Sequence, residues 1–285
     1  MVPRIGLAVS TIGRPALTEL LTTLAGSTVL PAAVAVANQS GRPLDLPSDL
    51  PYRLVVVEST GGISRGRNAA AAALAGEVDV IGFPNDDTLY EAGCLGRVAD
   101  AFTEDTDVVA CALVEDGRPR FELPPSGLLD RISIWRAIEP ATFVRSTTFH
   151  RFGGFREDMG TGCPSPWQSG EGTDLFLKVI ESGGVVRSRP DIHVTGRGER
   201  RDLDADQLVA KHRGYARGTG YVYRSHRYPF WVRARIVAAP WLRLRQLDPS
   251  VRLATRLALA RSLGRVEGLL GRVLRSRPTP RRGAR

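Results

Sequence analysis

The chain has 285 residues, 42% hydrophobic and 24% charged, a composition that excludes a disordered or fibrous protein and allows a full buried core. Its formal charge of +9 is unevenly spread: residues 207–285 hold 19 Lys/Arg and 2 Asp/Glu (+17), leaving 20 basic and 28 acidic residues (−8) in residues 1–206. Cys94, Cys111 and Cys163 are too irregularly spaced for a disulfide framework or zinc site, and no run of about 18 uncharged apolar residues offers a spanning helix. Met1–Ser10 is too short and wrongly flanked for a secretory signal, so a cytoplasmic location is expected.

Ile5–Ser10 reads as a buried strand followed by the turn Gly13-Arg14-Pro15, and Leu17, Leu20, Leu21 and Leu24 then recur at helical spacing. Strands are expected at Ala33–Ala37, closing in Asn38-Gln39-Ser40-Gly41, and at Arg53–Val57, followed by Gly61-Gly62. The alanine-rich stretch Arg65–Ala75 reads as a helix stopped by Gly76. Asp79–Phe83 is a strand running into Asn85-Asp86-Asp87, with a helix over Ala92–Phe102 and a strand over Val108–Val114 beyond it. This alternation predicts an α/β fold with a mostly parallel sheet flanked by helices, whose ligands sit outside the carboxyl ends of the strands. Ser10-Thr11, Asn38-Gln39-Ser40 and Asn85-Asp86-Asp87 all fall at such ends.

After Glu115 the pattern is less regular: a Gly/Pro/Ser stretch from Gly160 to Gly172 containing Trp167, a helix over Thr173–Glu181 and a strand over Val185–Arg189. Three regions are expected: an α/β domain over 1–206, a basic, aromatic-rich helical extension over 207–275, and a disordered basic tail over 276–285.

Two adjacent carboxylates at Asp86 and Asp87 repel unless solvated or bridged by a cation, and hard oxygen ligands suit Mg2+ or Mn2+. A solvated turn or a helix N-cap accounts for the same residues. In order along the chain stand Ser10-Thr11, Asn38-Gln39-Ser40, Gly62-Ile63-Ser64-Arg65-Gly66-Arg67-Asn68, Phe83-Pro84-Asn85-Asp86-Asp87, Phe152-Gly153-Gly154-Phe155 and Gly170-Glu171-Gly172-Thr173-Asp174-Leu175. Together these segments resemble the family-2-like, GT-A fold glycosyltransferases over roughly Ile5 to Thr195, a resemblance that makes the 1–206 domain GT-A-like.

That resemblance implies a Rossmann-like sheet and an inverting transfer of a sugar from a nucleotide-diphosphate donor to a glycan or lipid-linked acceptor, with Mn2+ or Mg2+ assisting. It puts Ser10, Thr11, Arg14, Asn38, Arg67, Asn85 and Asp86 on the donor, Thr11 and Asn38 toward nucleobase and ribose. Asp87 is the implied metal ligand, with Asp86 and His193 as further ones. The chain departs from the family with Asn at 38 and 85, and with Gly172 where relatives carry the catalytic base. A base is needed to take the acceptor's proton, so Glu171 is the leading choice and Asp174 the second, although both also suit a helix N-terminus. Trp167 either stacks on an acceptor sugar or is simply packed.

Two alternatives remain open: a non-catalytic nucleotide-sugar-binding protein, which Gly172 allows, and a sugar-phosphate nucleotidyltransferase, whose Gly-rich loop Ser10-Thr11-Ile12-Gly13-Arg14 matches poorly. In the basic extension, Leu259, Leu263, Val266, Leu270, Val273 and Leu274 share one side of a helical wheel, opposite Arg261, Arg265, Arg272 and Arg275. Such a helix is expected either on an anionic membrane, at the inner face of the cell membrane, or packed on the catalytic domain. No nucleic-acid partner is expected, since no recognition motif is present.

Overall fold

The structure, a computed structural model, describes residues 2–125, 127–197, 203–242, 244 and 250–274. The expected disordered tail, 276–285, lies outside the described residues, as does Arg275. The chain forms two compact units, Met1–Ser165 with Gly170–Asp202, and Pro166–Ser169 with Leu203–Arg285.

The first unit is built on one sheet. Its strands are β1 (Ile5–Thr11), β2 (Ala33–Asn38), β3 (Arg53–Glu58), β4 (Val80–Gly82), β5 (Thr106–Glu115), β6 (Arg118–Pro119), β7 (Gly127–Leu128), β8 (Thr142–Arg145) and β9 (Val185–Gly196). Its helices are α1 (Ala16–Ala25), α2 (Ile63–Ala73), α3 (Cys94–Ala101), α4 (Ser146–Arg151) and α5 (Glu171–Glu181). The strand order is β3-β2-β1-β4-β8-β5-β9-β7, with β6 paired to β5. β1 to β4 pair in parallel, as their alternation with helices requires, because parallel neighbours need a crossover connection. β8 enters antiparallel between β4 and β5, so the sheet is mixed beyond that point.

Register, more than strand identity, builds the site. Thr11 pairs with Asn38 and Asn38 with Glu58, so three strand ends form one row, and the bridge Ser10–Asn85 brings the acidic turn to it. Beneath this rim, Leu17, Leu20, Leu21 and Leu24 of α1 are buried in the apolar cluster with Leu7, Val9, Val34 and Val36, each contributing about 1.5–3 kcal/mol. β9 runs past Pro190, where the sequence pattern stops, because a register shift lets Arg189 pair with Cys111 while His193 pairs with Ala112. The three cysteines are buried and free.

The second unit contains α6 (Ala205–Ser225), α7 (Phe230–Leu242) and α8 (Val251–Leu270). Asp204 opens α6 with a capping box: its carboxylate accepts from the Asp206 and Gln207 amides at 2.9 and 2.8 Å, while Gln207 Oε1 accepts from the Asp204 amide at 3.1 Å. α6 and α8 touch backbone to backbone, since a Cβ at Gly264 or Gly268 would run into the carbonyl oxygens of Arg213 or Arg217. Fully buried between them, Glu267 accepts from Arg213 Nε at 3.1 Å and Arg217 Nε at 2.6 Å.

This packing corrects the expected wheel of α8. The small residues Ala254, Ala258, Gly264 and Gly268 are buried, while Leu259 and Leu270 are exposed, as is Val273 just beyond. Arg261 meets His212 at 3.1 Å and Arg265 donates to the Ile236 carbonyl. Close helix approach selects small side chains, and hydrophobicity alone picks the wrong face.

Candidate active site

At the end of β1 the Thr11 hydroxyl donates to Asp86 Oδ2 at 2.7 Å and accepts from the Gly13 amide at 3.1 Å. Arg14 Nη1 donates to Asp86 Oδ1 at 3.2 Å and lies 3.9 Å from Asp87 Oδ2. Asp86 is thus engaged at both oxygens and 5% exposed, whereas the Asp87 side chain is 25% exposed on the same turn. The turn is closed by Thr88, whose hydroxyl accepts from the Asn85 amide at 3.0 Å.

Asn38, expected to face nucleobase and ribose, is committed to its own loop. Its amide donates to the Arg42 carbonyl (2.8 Å) and Glu58 Oε1 (2.9 Å), and its oxygen accepts from the Ser40 amide (3.0 Å) and hydroxyl (2.7 Å). The open space lies next to it. A cleft of about 360 Å³ separates the start of α1 from the loop after β2, lined among others by Arg14, Thr18, Arg42, Leu44 and Asp45. Ser10 bonds Gln39 Oε1 at 3.2 Å, and α2 crosses so close above it that a Cβ at Gly66 would strike the Ser10 side chain.

Arg67 links the rim to the second chemical centre. It is 2% exposed, donates from Nη2 to Asn85 Oδ1 at 3.0 Å, and sets Nη1 3.6 Å from Glu171 Oε1. The next residue, Asn68, donates to the Phe155 carbonyl (2.8 Å) and accepts from its amide (2.9 Å), joining two of the sequence motifs. Phe155 packs edge-on against Phe83, ring centroids 4.7 Å apart, under the acidic turn.

Glu171 opens α5, and its neighbour is a residue the sequence did not reveal. Glu139, half-buried in a short 3-10 turn (Glu139–Ala141), accepts from the Gly172 amide at 3.0 Å through Oε1. A Cβ at position 172 would lie 2.5 Å from Glu139 Cδ, so the carboxyl fills the volume that any side chain at 172 needs. Burial first, and the Glu139 charge second, push the Glu171 carboxyl up to about 7, against the opposing pull of Arg67. Two acids and one arginine therefore hold a titrating proton near neutrality, a property of acid–base sites.

Other expected residues fall elsewhere. Asp174 is buried inside α5 and pairs with Lys178 at 2.7 Å. His193 Nε2 lies 2.8 Å from Glu91 Oε1, close to the Leu89–Thr195 bridge. Trp167, in the second unit, stacks on Tyr221 with centroids 4.6 Å apart and planes at 10°, so that face is taken. Among the described residues no group of three His, Cys, Asp or Glu side chains is arranged around a metal position. A partly exposed Asp87 fits instead a Mg2+ or Mn2+ that takes most of its ligands from water and substrate phosphates.

Residues 35–158, which include Asn38, Arg67, Asn85-Asp86-Asp87 and Glu139, match the family model described as glycosyl transferase family 2. No curated protein matches the chain. Among solved structures, TarS of S. aureus, residues 1–349 with UDP-GlcNAc, is 15% identical with a TM-score of 0.54, over 95% of this chain and 93% of that one. The mannosyltransferase PcManGT of Pyrobaculum calidifontis, in complex with GDP-Man and Mn2+, is 15% identical with a TM-score of 0.59, over 95% of this chain and 88% of that one. At such identities the likeness is one of fold.

Proposed function

We propose that this chain, a glycosyltransferase of the family-2-like GT-A type, is an inverting enzyme that moves a sugar from a nucleotide-diphosphate donor to a glycan or lipid-linked acceptor. The observation that carries the reading is Arg67, a buried cation joining the Asn85-Asp86-Asp87 turn to Glu171 and so making donor side and proton-accepting side one unit. Both neighbours named above bind nucleotide-sugars, one with Mn2+, which supports the same donor class here.

In this reading the cleft beside Arg14 and Arg42 takes the nucleoside, and Arg14 stays between it and the acidic turn, holding Asp86 rigid. Asp87, with Asp86 behind it, would hold a divalent ion, which would supply charge neutralisation at the departing diphosphate. The acceptor hydroxyl gives its proton to the Glu171–Glu139 pair as its oxygen attacks the anomeric carbon. The bond from that carbon to the diphosphate oxygen breaks, with inversion. Glu171 retains a proton up to about pH 7, so its full basicity appears only above neutrality.

Glu139 speaks against the non-catalytic alternative, because the carboxylate missing at Gly172 is supplied in space from another segment. The test is transfer, or slow hydrolysis to free sugar, of UDP- and GDP-sugars with Mn2+, by wild type and by Glu139→Gln/Glu171→Gln. Turnover lost in the double variant while donor binding persists supports the reading; equal turnover would overturn it.

A further inference from the structure

α7 offers a surface that the periodicity of the sequence conceals. On an ideal helix of 100° per residue, its exposed residues Phe230, Trp231, Ala234, Arg235, Ala238, Trp241 and Leu242 fall within one arc of about 140°. Val232, Arg233, Ile236, Val237, Ala239 and Pro240, all buried or half-buried, fill the remaining arc. Both faces are therefore apolar, one turned inward and one turned out. The outward one is no scatter of single residues: Phe230 is 84% exposed, Trp231 64% and Leu242 81%.

Charge decides what covers this face. From Gln207 to Leu247 the chain holds no acidic residue, and exposed Arg224 and Arg227 precede α7 while Arg235 stands at the margin of its apolar arc. Across residues 207–285 the balance is +17, so a second copy would bring two cationic surfaces together. Phe and Trp set beside arginine, on a helix with an apolar outer face, match the layer where headgroups meet acyl chains. At 13 residues α7 is about 20 Å long, too short to cross a bilayer and long enough to lie in its surface.

We propose that the outer face of α7, led by Phe230, Trp231 and Leu242 with Arg235 at its edge, docks on an anionic lipid surface. This goes further than a lipid-linked acceptor and rests on that reading only for its purpose, since the contact itself needs no donor or metal. Arg235 reaches phosphate while its methylenes and the aromatic rings sit among acyl chains. The helix first suspected of this role, α8, contributes only Leu259, Leu270 and Val273 as exposed large apolar residues besides Val251 at its start.

The experiment is co-sedimentation of the full chain with vesicles of phosphatidylcholine alone and of phosphatidylcholine with phosphatidylglycerol. Wild type is expected to bind the anionic vesicles, to be released by salt, and to show a blue shift of tryptophan emission. Phe230→Ser/Trp231→Ser/Leu242→Ser, all at exposed positions, is expected to lower vesicle affinity by about tenfold or more with unchanged circular dichroism. Failure of wild type to bind anionic vesicles, or unchanged binding by the triple variant, overturns the proposal. So does a wild-type dimer in vesicle-free ultracentrifugation that the triple variant abolishes, which would make the face a contact between copies. Calorimetric binding of UDP- and GDP-sugars, which this variant leaves alone, separates failure here from failure of the transferase reading.

Discussion

Replacing Glu171 by glutamine keeps the shape of the side chain and removes its charge. In the native protein this carboxyl is pushed up to about 7, chiefly by burial and then by Glu139, from an ordinary value of 4.5. A raised carboxyl favours the native state where it is protonated, so its contribution is complete below about pH 4.5 and is lost as pH rises through 7. Two and a half units at about 1.4 kcal/mol each make that loss about 3 kcal/mol. Glu171→Gln escapes it, and is expected to match wild type near pH 4 and to exceed it by up to about 3 kcal/mol at pH 8. The assay is urea unfolding at a series of pH values, read as variant minus wild type so that the histidines cancel. A difference that stays flat between pH 5 and 8, or a variant less stable than wild type at pH 8, would refute the account of this site.

Other outcomes follow from the same geometry. Gly172→Asp, which adds a side chain at 172, collides with Glu139 and is expected to cost about 1–3 kcal/mol in urea unfolding. Adding Glu139→Ala to it should recover much of that cost, a coupling that a double-mutant cycle reads directly. Glu267→Ala removes the partner of Arg213 and Arg217 between α6 and α8 and should destabilise by about 3–5 kcal/mol, seen as a lower Tm.

The sheet-based first unit is legible because strand, helix and turn each leave a local mark. The leucines of α1 repeat at helical spacing and are the buried ones, and the polar strand ends do meet in register at Thr11, Asn38 and Glu58. What stayed hidden is non-local. Glu139 lies 33 residues from Gly172 in a segment without periodicity, and nothing in the sequence says that its carboxyl occupies the space a glycine leaves. Trp167 and His193 have partners, Tyr221 and Glu91, that only the folded chain selects. In α8 the wheel weighed leucines by hydrophobicity, while the helix contact was decided by the absence of side chains at Gly264 and Gly268. The face of α7 escaped for the opposite reason: with apolar residues on every side, no stripe stands out.

The proposed donor site is tested most directly by calorimetric titration of a UDP-, dTDP- and GDP-sugar panel, with and without Mn2+, on wild type and Asp87→Ala. At least one donor is expected to bind wild type in the presence of Mn2+, and about tenfold or more weaker to Asp87→Ala or after chelation. Binding of none of them with Mn2+ present, or binding indifferent to both Asp87 and the metal, would contradict it.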